Sequence, residues 1–511
     1  MFAATCSSGV TAPGAETGEA FGAQAATAAG ASSTESPAEA ATTTATPSTT
    51  TTASTTTTTT TPPEPTIALV QNRGGESSGD PYYPEVGNTG YDVASYDLDL
   101  TIDVAGIDTL SGIANIELRT QAPLDRLSFD LVGLNVESTA IDGVAATHEQ
   151  TADKLRVFPA NTLAPNETFT VTVTYGGEPI DTNSLTRIGV IGWYDLGSTT
   201  SVTIGEPVGA RTWYPVNDHP SDKATYSITV DVAEPLVGVS NGELVEDTTA
   251  NGRRRTTWEM RQPMASYLAT VSVGDYALIS SEPAATTAVP VEDAIPTRLV
   301  DIFDGDFEQT DEMLDVFAEL FGPYPFDEYG VLVIDGEFSF ALETQGRSLF
   351  SAAFVDGDGS IERIVAHELA HQWFGNHVSP ATWRDIWLNE GFATYAEDLW
   401  IEFGRGGDLA QLEARLLERA TASPSPAPGD PGAAGLFDGS VYRRGGLTLH
   451  ALRLRVGDAE FFDILQTWLV RFGGGAASTR DFIELSEELS GDDLTDFFAG
   501  WLGDGALPPL R

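Results

Sequence analysis

Apolar and polar residues alternate along much of the chain between about residues 79 and 280. Clear examples are Tyr96–Asp103, Phe169–Tyr175 and Tyr226–Val232, which are separated by turns rich in Gly, Pro, Asn and Asp. A period of two places every second side chain on the same face of a strand, so one face can be buried. This stretch is therefore predicted to form an all-β domain.

A different spacing begins at about Leu299. Apolar residues there recur every three to four positions, which is typical of helices packed on a core. A short apolar run at Val331–Ile334 indicates one buried strand, and further helices follow to the C-terminus. The predicted fold class is therefore multidomain α+β, with an all-β part followed by a mainly helical part.

The stretch from Ile361 to Trp400 carries the clearest chemistry. It begins with a predicted helix that contains His367, Glu368 and His371 in the order His-Glu-x-x-His. Two histidines four positions apart lie on one face of a helix, so both imidazoles can bind one metal ion. Glu390, on the next predicted helix, can add a third ligand. We therefore expect His367, His371 and Glu390 to bind one Zn²⁺ ion per chain.

Glu368 has a different predicted role. It stands next to the first ligand and cannot easily bind the same ion, but it can face a water molecule and act as a general base. Three protein ligands also leave a fourth coordination position for water, which distinguishes catalytic zinc sites from structural ones. The motif therefore predicts a zinc hydrolase.

The limits of the first helix are predicted from its end signals. Ser360 is a candidate N-cap, and Gly375 with Asn376 suits the end of the helix. Between them runs an apolar stripe at helical spacing, on the side away from the histidines. The stripe consists of Ile361, Ile364, Val365, Leu369 and Trp373.

The second helix is predicted over about Arg384 to Trp400. Glu397 lies two turns after Glu390 on the same face, where it could orient a metal ligand, and Asp385 is a similar candidate. A solvated helix face is the predicted setting of both carboxylates.

Composition excludes several classes of partner. The 511 residues carry a formal net charge of −49, and the only lysines are Lys154 and Lys223. Nucleic acid and anionic membrane surfaces attract positive proteins, so neither is an expected partner. No run of about 18 apolar residues is present, so no transmembrane span is predicted.

The N-terminal segment has a composition unlike the rest. Residues 1–66 are dominated by Ala, Gly, Ser, Thr and Pro, which predicts a disordered tether. Cys6, the only cysteine, follows small residues as in a bacterial lipoprotein signal, although no basic or long apolar region precedes it. Cys6 is therefore either a lipid anchor or an ordinary residue of the tether. The tether indicates a secreted or cell-envelope location.

Four further segments of the chain are distinctive beside the zinc motif. They are Asp80-Pro81-Tyr82-Tyr83-Pro84, Ala210-Arg211-Thr212-Trp213-Tyr214-Pro215, Asp222-Lys223-Ala224 and Phe321-Gly322-Pro323-Tyr324-Pro325-Phe326. With these segments, the chain from Asp80 to Arg511 resembles peptidase family M1, the zinc metallo-aminopeptidases of the gluzincin class. The resemblance implies a saddle-like β-rich domain over residues 67–285 and a thermolysin-like zinc catalytic domain over 286–511.

Long members of the family continue into a helical domain that covers the active site. Here about 55 residues follow Val456. The chain is therefore similar to a short bacterial form of the family without that domain, and we expect an open cleft that accepts longer peptides.

The resemblance also implies substrate-binding residues. Family members hold the substrate's free α-amine with the glutamate of a Gly-x-Met-Glu-Asn segment, which is matched here by Glu343, although Phe340 replaces the glycine. The family's second amine anchor corresponds to Glu206. Its catalytic tyrosine, which stabilises the oxyanion, corresponds to Tyr442.

The function implied by the resemblance is a zinc-dependent aminopeptidase that acts on peptides with a free N-terminus. Three alternatives stay open. A gluzincin endopeptidase would need no amine anchor, an epoxide hydrolase occurs within the same family, and a surface-tethered binding protein could hold a structural zinc. Glu368 and Tyr442 argue against the last, because a structural site needs no general base.

Overall fold

The computed structural model describes residues 73–180, 191–197, 199–281, 286–336 and 338–510. The predicted tether over 1–66 and Cys6 lie outside the described residues. Within the described ranges, none of the helices combines the length and the apolar character needed to cross a lipid bilayer.

Strands dominate the first half of the described chain and helices the second. The strands are β1 Tyr91–Asp103, β2 Thr109–Thr120, β3 Leu127–Asp130, β4 Asn135–Ile141, β5 Val144–Gln150, β6 Lys154–Phe158, β7 Thr168–Gly177, β8 Gly192–Asp195, β9 Ser201–Ile204, β10 Lys223–Ala233, β11 Val237–Ser240, β12 Glu243–Ala250, β13 Arg253–Ala265, β14 Val271–Gly274, β15 Tyr276–Ser281, β16 Val291–Pro296, β17 Val331–Ile334, β18 Ser348–Ser351, β19 Ser379–Pro380 and β20 Ala476–Ala477. The helices are α1 Asp304–Phe307, α2 Thr310–Phe321, α3 Glu362–Ala370, α4 Trp387–Leu399, α5 Leu409–Ala422, α6 Gly439–Val456, α7 Asp458–Phe472, α8 Thr479–Ser490 and α9 Thr495–Leu502.

A large sheet forms the body of the first half, which we call the β domain (β1 to β14). Its ten strands run in the order β12-β13-β10-β1-β2-β7-β4-β5-β6-β3. β1 lies near the middle, parallel to β10 and antiparallel to β2. Alternate β1 residues, among them Tyr96, Leu98 and Leu100, are buried because they face the core. The strands predicted from alternation are therefore confirmed in β1, β7 and β10.

One buried ion pair fastens the N-terminal loop of the β domain to this sheet. Lys154 Nζ donates to Asp130 Oδ1 at 2.5 Å and to the carbonyl of Gly87 at 3.0 Å. Both charged side chains are buried. A buried charge is tolerated only when it is paired and hydrogen-bonded, as it is here.

Two smaller sheets lead towards the helical part. One has the order β11-β14-β9-β8, and the chain leaves β9 directly into Gly205 and Glu206. The other has the order β15-β16-β17-β18 and contains the predicted strand Val331–Ile334 as β17. β15 precedes the predicted domain boundary at residues 285/286 and β16 to β18 follow it, so one sheet joins residues from both sides. The boundary itself stays a prediction.

The helical part brings three helices together around the predicted zinc motif. α3 carries His367 and leads directly into His371, α4 carries Glu390 and α6 carries Tyr442. α4 and α6 approach closely at Gly391 and Gly445, where a β-carbon on Gly391 would lie 3.0 Å from the Gly445 Cα. Only glycine permits this approach. The fold is α+β with a β-rich part followed by a mainly helical part, which confirms the predicted fold class.

Candidate active site

His367 of α3 and His371, which directly follows α3, present the same ring nitrogen to the centre of the site. His367 Nδ1 lies 3.1 Å from Glu397 Oε1, and His371 Nδ1 lies 3.1 Å from the carbonyl oxygen of Phe374. A neutral imidazole has one N–H, and these acceptors place it on Nδ1. The lone pair of each Nε2 is therefore directed into the site.

Glu390 meets both histidines from α4. Its Oε2 lies 3.3 Å from His367 Nε2 and 3.6 Å from His371 Nε2. Burial alone would raise the pKa of Glu390, but the adjacent His367 and His371 side chains outweigh burial and lower the pKa to about 2. The carboxylate is therefore ionised. Two lone-pair nitrogens and one carboxylate, with ligand atoms within 4.8 Å of one another, match the ligand set of zinc.

Glu397 contacts the predicted metal-binding cluster, and its predicted solvated setting is wrong. The side chain is buried and accepts from His367 on one oxygen, while its other oxygen lies 3.3 Å from Arg363 Nη1 and 3.5 Å from Arg419 Nη1. Burial would raise the pKa of Glu397, but the hydrogen bond with His367 and the nearby arginines lower it below its usual value. A charged acceptor behind a ligating histidine fixes the orientation and tautomer of the ring.

Asp385 is also buried, and its predicted solvated setting is wrong too. One carboxylate oxygen accepts from the backbone N–H and the hydroxyl of Thr479, and the other accepts from Thr382 Oγ1 at 2.9 Å. Asp385 therefore fastens the start of α8 to the segment before α4, and it does not contact the histidines.

Glu368 joins the same cluster of side chains from α3. It is buried, and one of its oxygens lies within 4.8 Å of ligand atoms of His371 and Glu343. Burial raises the pKa of Glu368 to about 8, even though the two neighbouring histidines lower it. A carboxylate whose pKa lies near neutrality can both accept and return a proton.

Glu206 and Glu343 reach the site from different parts of the chain. Glu206 follows β9 of the β domain, and Glu343 lies in the segment before β18. They are 7% and 3% exposed, and their oxygens come within 4.8 Å of each other and of Glu390. The Oε1 atom of each has no hydrogen-bond partner among the described residues. Burial raises the pKa of both, and for Glu206 the nearby Glu343 raises it further.

Tyr442 lies beside the histidines, on the first turn of α6. Its ring is nearly parallel to the His367 ring, with centroids 5.9 Å apart and planes inclined by 19°. Burial and the surrounding carboxylates, Glu390 first, raise the pKa of Tyr442 well above its usual value. The hydroxyl therefore stays protonated and can donate a hydrogen bond.

Aromatic residues occupy the segment just before Glu343. The rings of Phe338 and Phe340 lie 5.3 Å apart, and Phe338 packs edge-to-face on Tyr194 of β8 at 5.5 Å. Phe340, which replaces the family's glycine, is therefore part of an aromatic cluster that also contains a side chain of the β domain.

The ends of α3 differ from those predicted. Ile361, and not Ser360, precedes the first helical residue, and no side chain caps the helix. α3 ends at Ala370, before the predicted stop at Gly375, and a hydrogen-bonded turn follows in which Phe374 N donates to the Ala370 carbonyl. This turn supplies the acceptor for His371, a contact that sequence reasoning missed because a backbone carbonyl leaves no trace in a sequence pattern.

The site defines a class of protein. Two histidines four positions apart at the end of α3, a glutamate between them and a second glutamate on α4 form the arrangement of the gluzincin metallohydrolases. The profile of the Peptidase family M1 domain matches residues 306–501, and that of the Peptidase M1 N-terminal domain matches residues 93–268.

Solved structures support the same assignment. The M1 zinc metallopeptidase of Deinococcus radiodurans is 34% identical, with a TM-score of 0.79 over 85% of this chain and 99% of that one. A mutant of that enzyme bound to the substrate Tyr-Ser-Ala matches with a TM-score of 0.77 at 34% identity. The chain belongs to peptidase family M1.

Longer relatives match as well. Aminopeptidase M1-B of Oryza sativa subsp. japonica is 26% identical over 453 residues, and aminopeptidase B of Rattus norvegicus is 29% identical over 336 residues. These alignments cover 81% and 60% of this chain. The chain spans about half the length of each of these two relatives.

Proposed function

We propose that the chain is an aminopeptidase that uses one zinc ion per chain to remove residues from peptides with a free N-terminus. One observation favours an aminopeptidase over zinc hydrolases in general. Glu206 and Glu343 are buried beside Glu390, and each has an oxygen without a hydrogen-bond partner among the described residues.

An α-ammonium group suits this pair of carboxylates. Two buried carboxylates close together repel each other, and a cation between them both removes the repulsion and satisfies the free oxygens. A charge-assisted hydrogen bond in a site that excludes water is stronger than one in solution. The pair therefore favours a peptide N-terminus over an internal segment of a chain.

The remaining residues divide the chemistry. His367, His371 and Glu390 would hold zinc, which when bound polarises the scissile carbonyl and makes water more acidic. Glu368 takes a proton from the attacking water and returns it to the leaving amine. The Tyr442 hydroxyl donates a hydrogen bond to the carbonyl oxygen as negative charge develops on it. By binding the substrate's N-terminal amine, Glu206 and Glu343 hold the first peptide bond beside Glu368 and Tyr442.

A panel of aminoacyl-arylamides, assayed with and without a chelator, tests the proposal. We expect hydrolysis that stops when zinc is removed and returns when zinc is added. Each free-amine substrate is paired with its N-acetylated form, which should be a poor substrate. Equal rates on the two forms would indicate an endopeptidase and would overturn the exopeptidase assignment.

The variant Glu368→Gln separates metal binding from catalysis. It keeps the size of the side chain and removes the base, so zinc content should stay at one per chain while hydrolysis is lost. Wild-type turnover in this variant would exclude Glu368 as the general base.

A further inference from the structure

A short turn after α3, residues 374–377, contacts two parts of the proposed site. Its Phe374 carbonyl accepts the hydrogen bond that orients His371. Its Asn376 side chain is buried and donates to the backbone carbonyl of Glu343 at 2.6 Å. The position of the 374–377 turn therefore affects one proposed metal ligand and one proposed amine anchor together.

Tyr267 of the β domain holds this turn. Its hydroxyl donates to the Gly375 carbonyl at 2.9 Å and accepts from Asn389 Nδ2 at 3.1 Å. Asn389 immediately precedes the proposed ligand Glu390. Tyr267 is 2% exposed, and its ring packs edge-to-face on Trp383 with centroids 5.0 Å apart. One buried hydroxyl thus bridges the turn after α3 and the beginning of α4.

The backbone of Tyr267 also touches the loop that carries Glu206. The Cα of Gly205 lies so close to the Tyr267 carbonyl that a β-carbon there would overlap with it. Only glycine allows this contact. Tyr267 therefore contacts three segments, which carry or flank His371, Glu390 and Glu206.

Lys223 makes a second connection from the β domain. Its Nζ, at the start of β10, donates to the carbonyl of Asn376 at 2.6 Å and to that of His377 at 3.1 Å. A backbone carbonyl that is withdrawn from water needs a hydrogen-bond donor, and the Lys223 amine supplies one to both of these oxygens. Tyr267 and Lys223 thus hold neighbouring residues of the same turn.

We propose that Tyr267 and Lys223 are positioning residues through which the β domain orients the His371 ligand and aligns it with the amine anchors Glu206 and Glu343. This inference rests on the proposed zinc site. Loss of a residue that orients a metal ligand typically weakens metal binding about 10- to 100-fold. Tyr267 and Lys223 do not bond to His371 themselves; they hold the turn that contains the Phe374 carbonyl. We therefore expect the smaller loss, about a tenfold weaker zinc affinity for each.

The variant Tyr267→Phe removes the hydroxyl and keeps the buried ring. Its matched control is Tyr276→Phe, because Tyr276 is also buried, at 6% exposure, and its hydroxyl pairs with Ser272 Oγ of β14 at 2.8 Å, away from the 374–377 turn. Zinc affinity of the full chain is measured by competition with a chromophoric chelator. Tyr267→Phe should weaken zinc binding about tenfold, whereas Tyr276→Phe should bind zinc like the wild type even if its Tm falls equally.

A second pair of variants keeps the test independent of any folding defect in Tyr267→Phe. Lys223→Met removes the donor and should weaken zinc binding, and Lys223→Arg retains a donor and should restore much of it. If Tyr267→Phe and Lys223→Met both bind zinc with wild-type affinity, the inference is overturned and the proposed function stands. If the wild type binds no zinc, both are overturned.

Discussion

Replacing Glu343 with glutamine is the most direct test of how the site would select a free N-terminus. The change keeps the shape of the side chain and removes its charge. Glu343 is 3% exposed and has an oxygen without a partner among the described residues. Its proposed hydrogen bond with the substrate's ammonium group would therefore be shielded from water. A hydrogen bond to a charged group contributes about 1.5–3 kcal/mol. Because about 1.4 kcal/mol is a factor of ten, kcat/KM for a free-amine substrate should fall about 10- to 150-fold.

The partner carboxylate extends this prediction. Glu206→Gln should cause a loss of the same order, since Glu206 would bind the same ammonium group. The double variant should lose less than the product of the two single effects, because groups that contact one ligand atom are not independent. The measurement is kcat/KM on a leucyl or arginyl arylamide, with zinc content determined for every variant.

A control shows whether any buried carboxylate would behave in this way. Asp293 is buried on β16 and accepts a hydrogen bond from Val331 N at 2.8 Å. Asp293→Asn removes a buried carboxyl group outside the cluster of proposed catalytic residues and should leave kcat/KM within about twofold of wild type. If Glu343→Gln retained wild-type kcat/KM, or if Asp293→Asn lost as much, the proposed role of Glu343 would be refuted.

Three further predictions concern other parts of the molecule. Tyr442→Phe should lower kcat about 10²- to 10³-fold with little change in KM, as expected for loss of one oxyanion donor, and an unchanged kcat would exclude this role. Glu397→Gln should weaken zinc binding about 10- to 100-fold in chelator competition, because the acceptor for His367 loses its charge; wild-type affinity would contradict that. Burial, aided by Asp130, raises the pKa of Asp218 from 3.8 to about 7, so its ionisation opposes folding increasingly as pH rises through this range. Asp218→Asn should therefore raise Tm at about pH 8 by an amount that shrinks towards pH 4, and a pH-independent change would refute this reasoning.

Local patterns in the sequence predict the parts of the site that one element controls. His367 and His371 converge because four positions make about one helical turn, and β1 is recognisable because its apolar residues alternate. Both features follow from backbone geometry and need no knowledge of the rest of the fold.

Features that depend on contacts between distant segments were not predictable in this way. The spacing of Glu397 from Glu390 indicates a shared helix face, but its burial depends on Arg363 and on Arg419 of α5. The link between Tyr267 and the Gly375 carbonyl joins residues 108 positions apart through a backbone oxygen. No residue type at Gly375 could have indicated it.

The two lysines of the chain also provide natural probes of local opening. Lys154 is paired with Asp130 inside the ten-stranded sheet, and Lys223 donates to carbonyls of the 374–377 turn. An amine-acylating reagent would therefore modify each lysine mainly when its surroundings open. The time course for Lys154 would report fluctuations of the sheet, and that for Lys223 would report separation of β10 from the turn. Peptide mass spectrometry of one acylated sample would thus follow these two regions of the protein separately.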